Sequence, residues 1–219
     1  MNHSPVVIAC EALLCDMDGT LVDSTAVVER HWAAWAARHA IDLAELLRVS
    51  HGRPTIETLR LVAPHLATVE EAAKLDAGEA GDSEGLRPVG GAQALLASLP
   101  PHRWAVVTSA GRALATRRLR GASLPVPDVL VTSDDVPLGK PNPTGYVEAA
   151  RRLGAAVSRS IVIEDAPVGI QAGRAAGAIV IGVTTTFPSL ADCDYLIRDL
   201  RALRIIESTA SGLRVEVVA

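Results

Sequence analysis

Short apolar runs recur along the chain at Ala12–Cys15, Trp104–Val107, Val129–Val131, Ile161–Ile163 and Ala178–Val183. Each is apolar at successive positions rather than at alternate ones, the pattern of a strand covered on both faces. Between the later runs lie Ala- and Arg-rich segments with helical spacing, Gly111–Gly121, Thr144–Leu153 and Val168–Ala176. Alternation of this kind predicts parallel strands joined by right-handed crossovers, and hence an α/β fold. The expected core is a three-layer, Rossmann-like parallel sheet with helices on both sides. The alternating stretch Leu213–Val218 is read as an added edge strand.

One region breaks this rhythm. Between the first two strands lie roughly eighty residues with no strand pattern, far more than a crossover needs. Val28, Trp32, Trp35, Ala36 and His39 fall at i, i+4, i+7, i+8 and i+11, one stripe of an amphipathic helix. Further helical stretches are expected at Thr55–Val62 and Thr68–Ala77, with Pro64 as punctuation and Gly78, Gly81 and Gly85 in a loose exit. The predicted organisation is a Rossmann-like core of residues 1–21 and 86–219 with an inserted helical domain of residues 22–85. The two tryptophans on the stripe read as core of that insert.

Composition narrows the class. The chain has 219 residues, 49% of them hydrophobic and 21% charged, enough for one core with a small satellite. A formal net charge of −4 gives no reason to expect a nucleic-acid partner. Three cysteines without a Cys-x-x-Cys pair argue against a disulfide framework or a thiolate zinc site. The early run Val6–Cys15 is short and broken by Glu11, so neither a signal peptide nor a membrane span is expected. The expectation is a soluble cytoplasmic protein without a membrane partner. The grouped arginines (Arg117, Arg118 and Arg120, then Arg151 and Arg152) read as solvated helix faces.

The candidate chemistry lies where strands end. Asp16-Met17-Asp18-Gly19-Thr20 follows the first strand, and ligands of open α/β sheets sit beyond the carboxyl ends of strands. Asp-Gly also makes an ordinary turn, but a turn leaves two carboxylates at a buried strand end unexplained. A calcium loop fails on spacing, with Leu21 at the glycine position and Val27 at the bidentate acid. Glu164-Asp165 ends the run Ile161–Ile163, and Asp165 is placed either as the N-cap of a helix beginning at Pro167 or as a ligand. If the two strands are neighbours, four carboxylates converge and need a cation. An all-oxygen donor set points to Mg²⁺ rather than zinc. Thr108-Ser109 precedes a helix and reads as an anion cradle or a plain cap. Lys140, in Gly139-Lys140-Pro141-Asn142-Pro143, reads as a surface lysine or as a held cation.

Asp16-Met17-Asp18-Gly19-Thr20, Thr108-Ser109, Gly139-Lys140-Pro141-Asn142-Pro143 and Ile163-Glu164-Asp165-Ala166-Pro167, in this order, resemble the four motifs of the haloacid-dehalogenase (HAD) superfamily. The insert resembles the helical cap domain of its β-phosphoglucomutase-like members. Asp23-Ser24, Glu29-Arg30, Trp32 and His51-Gly52-Arg53 resemble bacterial sugar and hexitol phosphatases and the yeast glycerol-3-phosphate and 2-deoxyglucose-6-phosphate phosphatases.

The resemblance implies a phosphatase with Asp16 as nucleophile, forming an aspartyl-phosphate. Mg²⁺ would be held by Asp16, the backbone carbonyl of Asp18, and Asp165 with help from Glu164. Asp18 would act as general acid and then general base. Thr108, the Ser109 amide and Lys140 would bind the oxygens of the transferring group. An acid at Asp18 argues against a dehalogenase, whose halide leaving group needs no proton. The histidine used by β-phosphoglucomutase falls on Val28 in a gap-free alignment, which favours a phosphatase over a mutase. In the cap, Glu29, His51 and Arg53 are the substrate-binding candidates, with Glu29, like its neighbour Arg30, alternatively on a solvated face. The implied substrate is a small sugar or polyol monophosphate, the alternatives being a mutase, a phosphoglycolate-type phosphatase or a non-catalytic binding module. This cap type commonly works as a monomer, and that is the expected state.

Overall fold

A computed structural model describes residues 5–218. The chain opens with β1 (Val6–Cys10) and β2 (Ala12–Cys15), and a short strand, β3 (Val22–Asp23), leads into helices α1 (Thr25–His39), α2 (Leu43–Ser50), α3 (Thr55–Val62) and α4 (Val69–Gly81). β4 (Arg87–Pro88) returns the chain to an alternating region of α5 (Ala92–Ala97), β5 (Trp104–Val107), α6 (Arg112–Gly121), β6 (Leu130–Val131), α7 (Thr144–Leu153), β7 (Ser160–Glu164), α8 (Pro167–Ala175), β8 (Ile179–Val183) and β9 (Tyr195–Ile197). A hairpin of β10 (Leu203–Thr209) and β11 (Gly212–Val217) ends it.

Six strands form the central sheet in the order β6-β5-β2-β7-β8-β9, and every adjacent pair is parallel. Side chains alternate between its two faces, as strand geometry requires. Leu13, Cys15, Val106, Ile161, Ile163 and Ile181 pack on one side with Leu95 and Leu119. Leu14, Ala105, Val107, Val162 and Val180 pack on the other with Tyr146, Ala149 and Ile170. Helices cover both faces, which is why these strands read as unbroken apolar runs.

The Leu213–Val218 expectation needs correction. This segment does not edge the parallel sheet. It is the middle strand of a separate antiparallel sheet, β1-β11-β10, with Ile8 opposite Val215 and Cys10 opposite Leu213. β9 takes the edge position instead. The run Val6–Cys15 is accordingly two strands in two sheets. Glu11 sits at the switch, its carboxylate accepting from the Ala156 amide at 2.7 Å and from Arg159 Nε at 2.7 Å.

The four helices of the insert bury a core of their own around Trp32, Trp35, Leu46, Leu59 and Leu75. Trp32 and Trp35 meet edge-to-face at 5.7 Å, and Trp35 Nε1 donates to Glu71 at 2.9 Å. α2 escaped the periodicity reading; it is short, and Asp42 caps it by accepting from the Glu45 amide at 3.0 Å. Entry and exit run side by side, since β3 pairs antiparallel with β4, Val22 opposite Pro88 and Asp23 opposite Arg87. Among the described residues no helix is long and apolar enough to cross a membrane.

Candidate active site

β2 and β7 are immediate neighbours, in register from Ala12 against Ser160 to Cys15 against Ile163. The Asp16 amide continues the ladder by donating to the Ile163 carbonyl at 2.9 Å. Their carboxyl ends therefore deliver Asp16, Glu164 and Asp165 to one place, each offering an oxygen within 4.8 Å of the others. All three are buried. Gly19 lets the Asp16–Thr20 loop lie against them: it has φ +80°, and a Cβ there would stand 2.0 Å from Asp165 Oδ2.

Lys140 enters this cluster. Its ammonium pairs with Asp16 Oδ1 and with Glu164 Oε1, the latter at 2.6 Å, and lies 5.5 Å from the centre of the Tyr146 ring. Lys140 is buried, which excludes the surface reading. Burial opposes its charge, but Asp16 and Glu164 outweigh that cost and hold its pKa above the ordinary lysine value. Tyr146 Oη donates to Glu164 Oε1 at 2.6 Å. Glu164 Oε2 accepts from the Asp165 and Ala166 amides at 3.1 and 3.3 Å. Asp165 is held by two hydroxyls, Thr20 Oγ1 at 3.3 Å and Thr186 Oγ1. It does not cap α8, whose N-cap is Ala166 without a side-chain bond.

One ammonium cannot balance three buried carboxylates. Burial, with Lys140 acting in the opposite sense and Glu164 reinforcing it, lifts Asp16 well above the usual carboxylate range. Burial and then Glu164 push Asp165 up to about 7. A shortfall of positive charge beside an all-carboxylate donor set fits a hard divalent cation.

Tyr146 escaped the sequence reading, although Tyr146, Ala149 and Ala150 form a buried i, i+3, i+4 stripe. Tyr146→Phe removes a donor to a buried carboxylate and is expected to destabilise the protein by about 1.5–3 kcal/mol. Urea unfolding measures this, and an unchanged midpoint would show that the bond contributes nothing.

Asp18 behaves differently from the other three acids. Its side chain does not join them; Oδ1 accepts from Ser24 Oγ at 2.7 Å and Oδ2 pairs with Arg118 Nη1 at 2.8 Å. Three carboxylates converge where four were expected, because Ser24 and Arg118 offer Asp18 partners on the side of the insert. Arg118 is itself a correction. Expected on a solvated face, it is 5% exposed and also pairs with Glu79 of α4. Arg120 is exposed and Arg117 reaches only the Ala80 carbonyl, at 3.3 Å.

A cavity of about 80 Å³ opens above Asp16 and Asp18, walled by Thr108, Ser109, Ser24, Val28, His51, Arg53, Asp76, Glu79 and Arg118 among others. Thr108 is buried at the end of β5, and its Oγ1 accepts from the Ala110 amide at 3.1 Å. Ser109 Oγ donates to the Gly52 carbonyl at 2.7 Å, tying the core loop to the insert. The His51 ring meets Phe187 edge-on at 5.7 Å, and burial lowers its pKa. Glu29, expected at the substrate, lies outside this cavity on an open groove with Asp23 and Arg87. Val28 takes the cavity-facing position of α1, and the next residue is turned about 100° away. Arg30 also points elsewhere, bound to Asp82 Oδ2 at 2.7 Å and to the Glu84 carbonyl at 3.0 Å.

Known proteins agree with this architecture. Residues 10–177 match the family model described as haloacid dehalogenase-like hydrolase. Hexitol phosphatase A of Escherichia coli (strain K12) is 39% identical over 203 residues, covering 90% of this chain and 94% of that protein. 2-Deoxyglucose-6-phosphate phosphatase 1 of Saccharomyces cerevisiae is 33% identical over 237 residues, covering 95% and 96%. The crystal structure of β-phosphoglucomutase from Clostridium difficile superposes with a TM-score of 0.77, covering 89% of this chain and 93% of that one; at 18% identity the likeness is one of fold. A family match running from the end of β1 through β2, β5 and β7, the strands that carry Asp16, Thr108 and Glu164, makes this chain a member of the haloacid dehalogenase-like hydrolases.

Proposed function

We propose that the protein is a Mg²⁺-dependent phosphatase that hydrolyses a small sugar or polyol monophosphate through a phosphoryl group carried transiently on Asp16. The observation that carries this reading is the pairing, at one cavity, of two carboxylates with different surroundings: Asp16, buried against Lys140, and Asp18, held at the wall by Ser24 and Arg118. Asp16 belongs to the carboxylate cluster that would hold the cation and is read as the nucleophile; Asp18 stands outside that cluster, on the same cavity, and is read as the proton carrier.

A carboxylate oxygen of Asp16 attacks phosphorus, and the bond from phosphorus to the ester oxygen breaks. Asp18 gives the departing alkoxide its proton. A water then attacks the phosphoryl group on Asp16, loses its proton to Asp18, and leaves inorganic phosphate and a free Asp16 carboxylate. The Thr108 hydroxyl, the Ser109 amide and Lys140 bind the equatorial oxygens, whose charge must be balanced as the group transfers. Asp16, Glu164, Asp165 and the backbone carbonyl of Asp18 would hold Mg²⁺, which supplies positive charge against the repulsion between a carboxylate and a dianionic ester. The helical insert acts as a cap of residues 22–85 that keeps bulk water from the cavity and places His51 and Arg53 over it.

Val28 supports hydrolysis over mutase chemistry. It lines the cavity at the position where the resemblance places the mutase's histidine, and an isopropyl group moves no proton. The substrate class follows relatives named for hexitol and 2-deoxyglucose-6-phosphate hydrolysis. A reducing, cytoplasmic setting suits three cysteines that are all unpaired.

The test is phosphate release from hexitol phosphates, hexose phosphates, glycerol phosphate and phosphoglycolate. Turnover is expected on the sugar and polyol esters, lost in EDTA and restored by Mg²⁺. Activity confined to phosphoglycolate, or untouched by chelation, would overturn the reading.

A further inference from the structure

The reaction above gives no role to two further acids at the cavity. α4 presents Asp76 and Glu79 three residues apart, and both line the cavity from the insert side. Glu79 is 5% exposed. Asp76 accepts from Thr55 Oγ1 at 2.5 Å. From α6 of the core comes Arg118, whose two terminal nitrogens are taken by Asp18 and Glu79. Its Nε is buried without a partner. Stability is a poor reason for this arrangement, since a buried ion pair rarely outperforms well-packed apolar side chains.

Charge balance gives a better one. A buried arginine on a substrate cavity is the natural receptor for a carboxylate or a second phosphate. Here its positive charge is already matched twice, and Asp76 adds a third carboxylate against one further cation on the wall, Arg53. Ionised carboxylates only accept hydrogen bonds, so they welcome hydroxyl donors and repel anions.

We propose that Glu79, seconded by Asp76, is the specificity-determining residue for substrate charge: the cavity takes esters of uncharged, hydroxyl-rich alcohols and rejects esters whose far end carries a carboxylate or a second phosphate. The inference rests on the phosphatase reading and refines it. Glu79→Gln keeps the shape of the side chain and removes one of the two negative charges matched to Arg118, leaving only Asp18 against it.

The experiment compares kcat/KM of the Mg²⁺-loaded full chain on a hexitol monophosphate, on phosphoglycolate and on a hexose bisphosphate. Burial pushes Glu79 up to about 7, so the assays run at pH ~8, where it is ionised. Wild type is expected to prefer the hexitol ester. Glu79→Gln is expected to shift the ratio toward the anionic substrates by at least about tenfold, the factor equivalent to ~1.4 kcal/mol. A loss by one common factor on all three substrates would mean that Glu79 merely positions Arg118 and Asp18, and would overturn the proposal. Should Glu79→Gln not fold, Asp76→Asn carries the same test: a shift in the same direction supports it and an unchanged ratio overturns it. A wild type inactive on every sugar and polyol ester would instead defeat the phosphatase reading, so the two failures are distinct.

Discussion

Asp16→Asn is expected to lose at least about four orders of magnitude in kcat while remaining folded. An amide of the same shape is not a nucleophile toward phosphorus, and no neighbouring group replaces it. Asp18 is turned toward Ser24 and Arg118, and Glu164 is occupied by Lys140 and Tyr146. The fold should survive because the substitution removes one charge from an over-negative cluster and leaves Lys140 paired with Glu164 at 2.6 Å. Two measurements check this. Thermal unfolding should show a transition no lower than that of wild type, and acid quenching during turnover should trap a phosphorylated chain for wild type only. Normal hydrolysis by Asp16→Asn would remove Asp16 from the chemistry.

Lys140→Met reverses the balance of effects. The methionine fills similar volume but leaves Asp16 and Glu164 buried without their counter-charge, in a site already short of one. Stripping one partner from a buried ionic cluster costs about 3–5 kcal/mol. In a chain of this size that lowers the melting temperature by about 6–20 °C. Catalysis should fall by at least about 10²-fold as well, because the proposed reaction loses a donor to the transferring group. Mg²⁺ should recover part of the lost stability, since a ligand that binds only the folded state stabilises it by mass action. Equal melting temperatures for wild type and Lys140→Met in EDTA would show that the ammonium does not hold the cluster together.

What the sequence disclosed and what it hid divide along a physical line. The strands ending in Cys15, Val107 and Glu164 were legible because a parallel strand buried on both faces has no polar position to confuse the pattern. Asp16, Glu164 and Asp165 were legible because charge at the end of such a strand demands a partner. Arg118 was hidden for the opposite reason. In Arg117-Arg118-Leu119-Arg120 three cations surround one leucine, and nothing local says that α6 turns only the second of them toward Asp18 and Glu79. Glu79 sits in an alanine-rich helix whose acids look like ordinary solubilising charge. Its partner lies 39 residues away on another element. The antiparallel sheet was hidden because β1 and β11 come from the two ends of the chain, a pairing no window of sequence contains.

The chain passes between sheet and insert only at Val22–Asp23 and Arg87–Pro88, and these crossings are paired strands. Splice points that close, about 5 Å apart, make the helical unit interchangeable in principle: any module whose two ends meet at that spacing can be grafted there without disturbing the register of β2 against β7. A chimera carrying a relative's helices on this sheet would keep Asp16, Glu164 and Asp165 together while exchanging the α4 wall of the cavity, and would leave Arg118 of α6 to meet whatever that new wall presents.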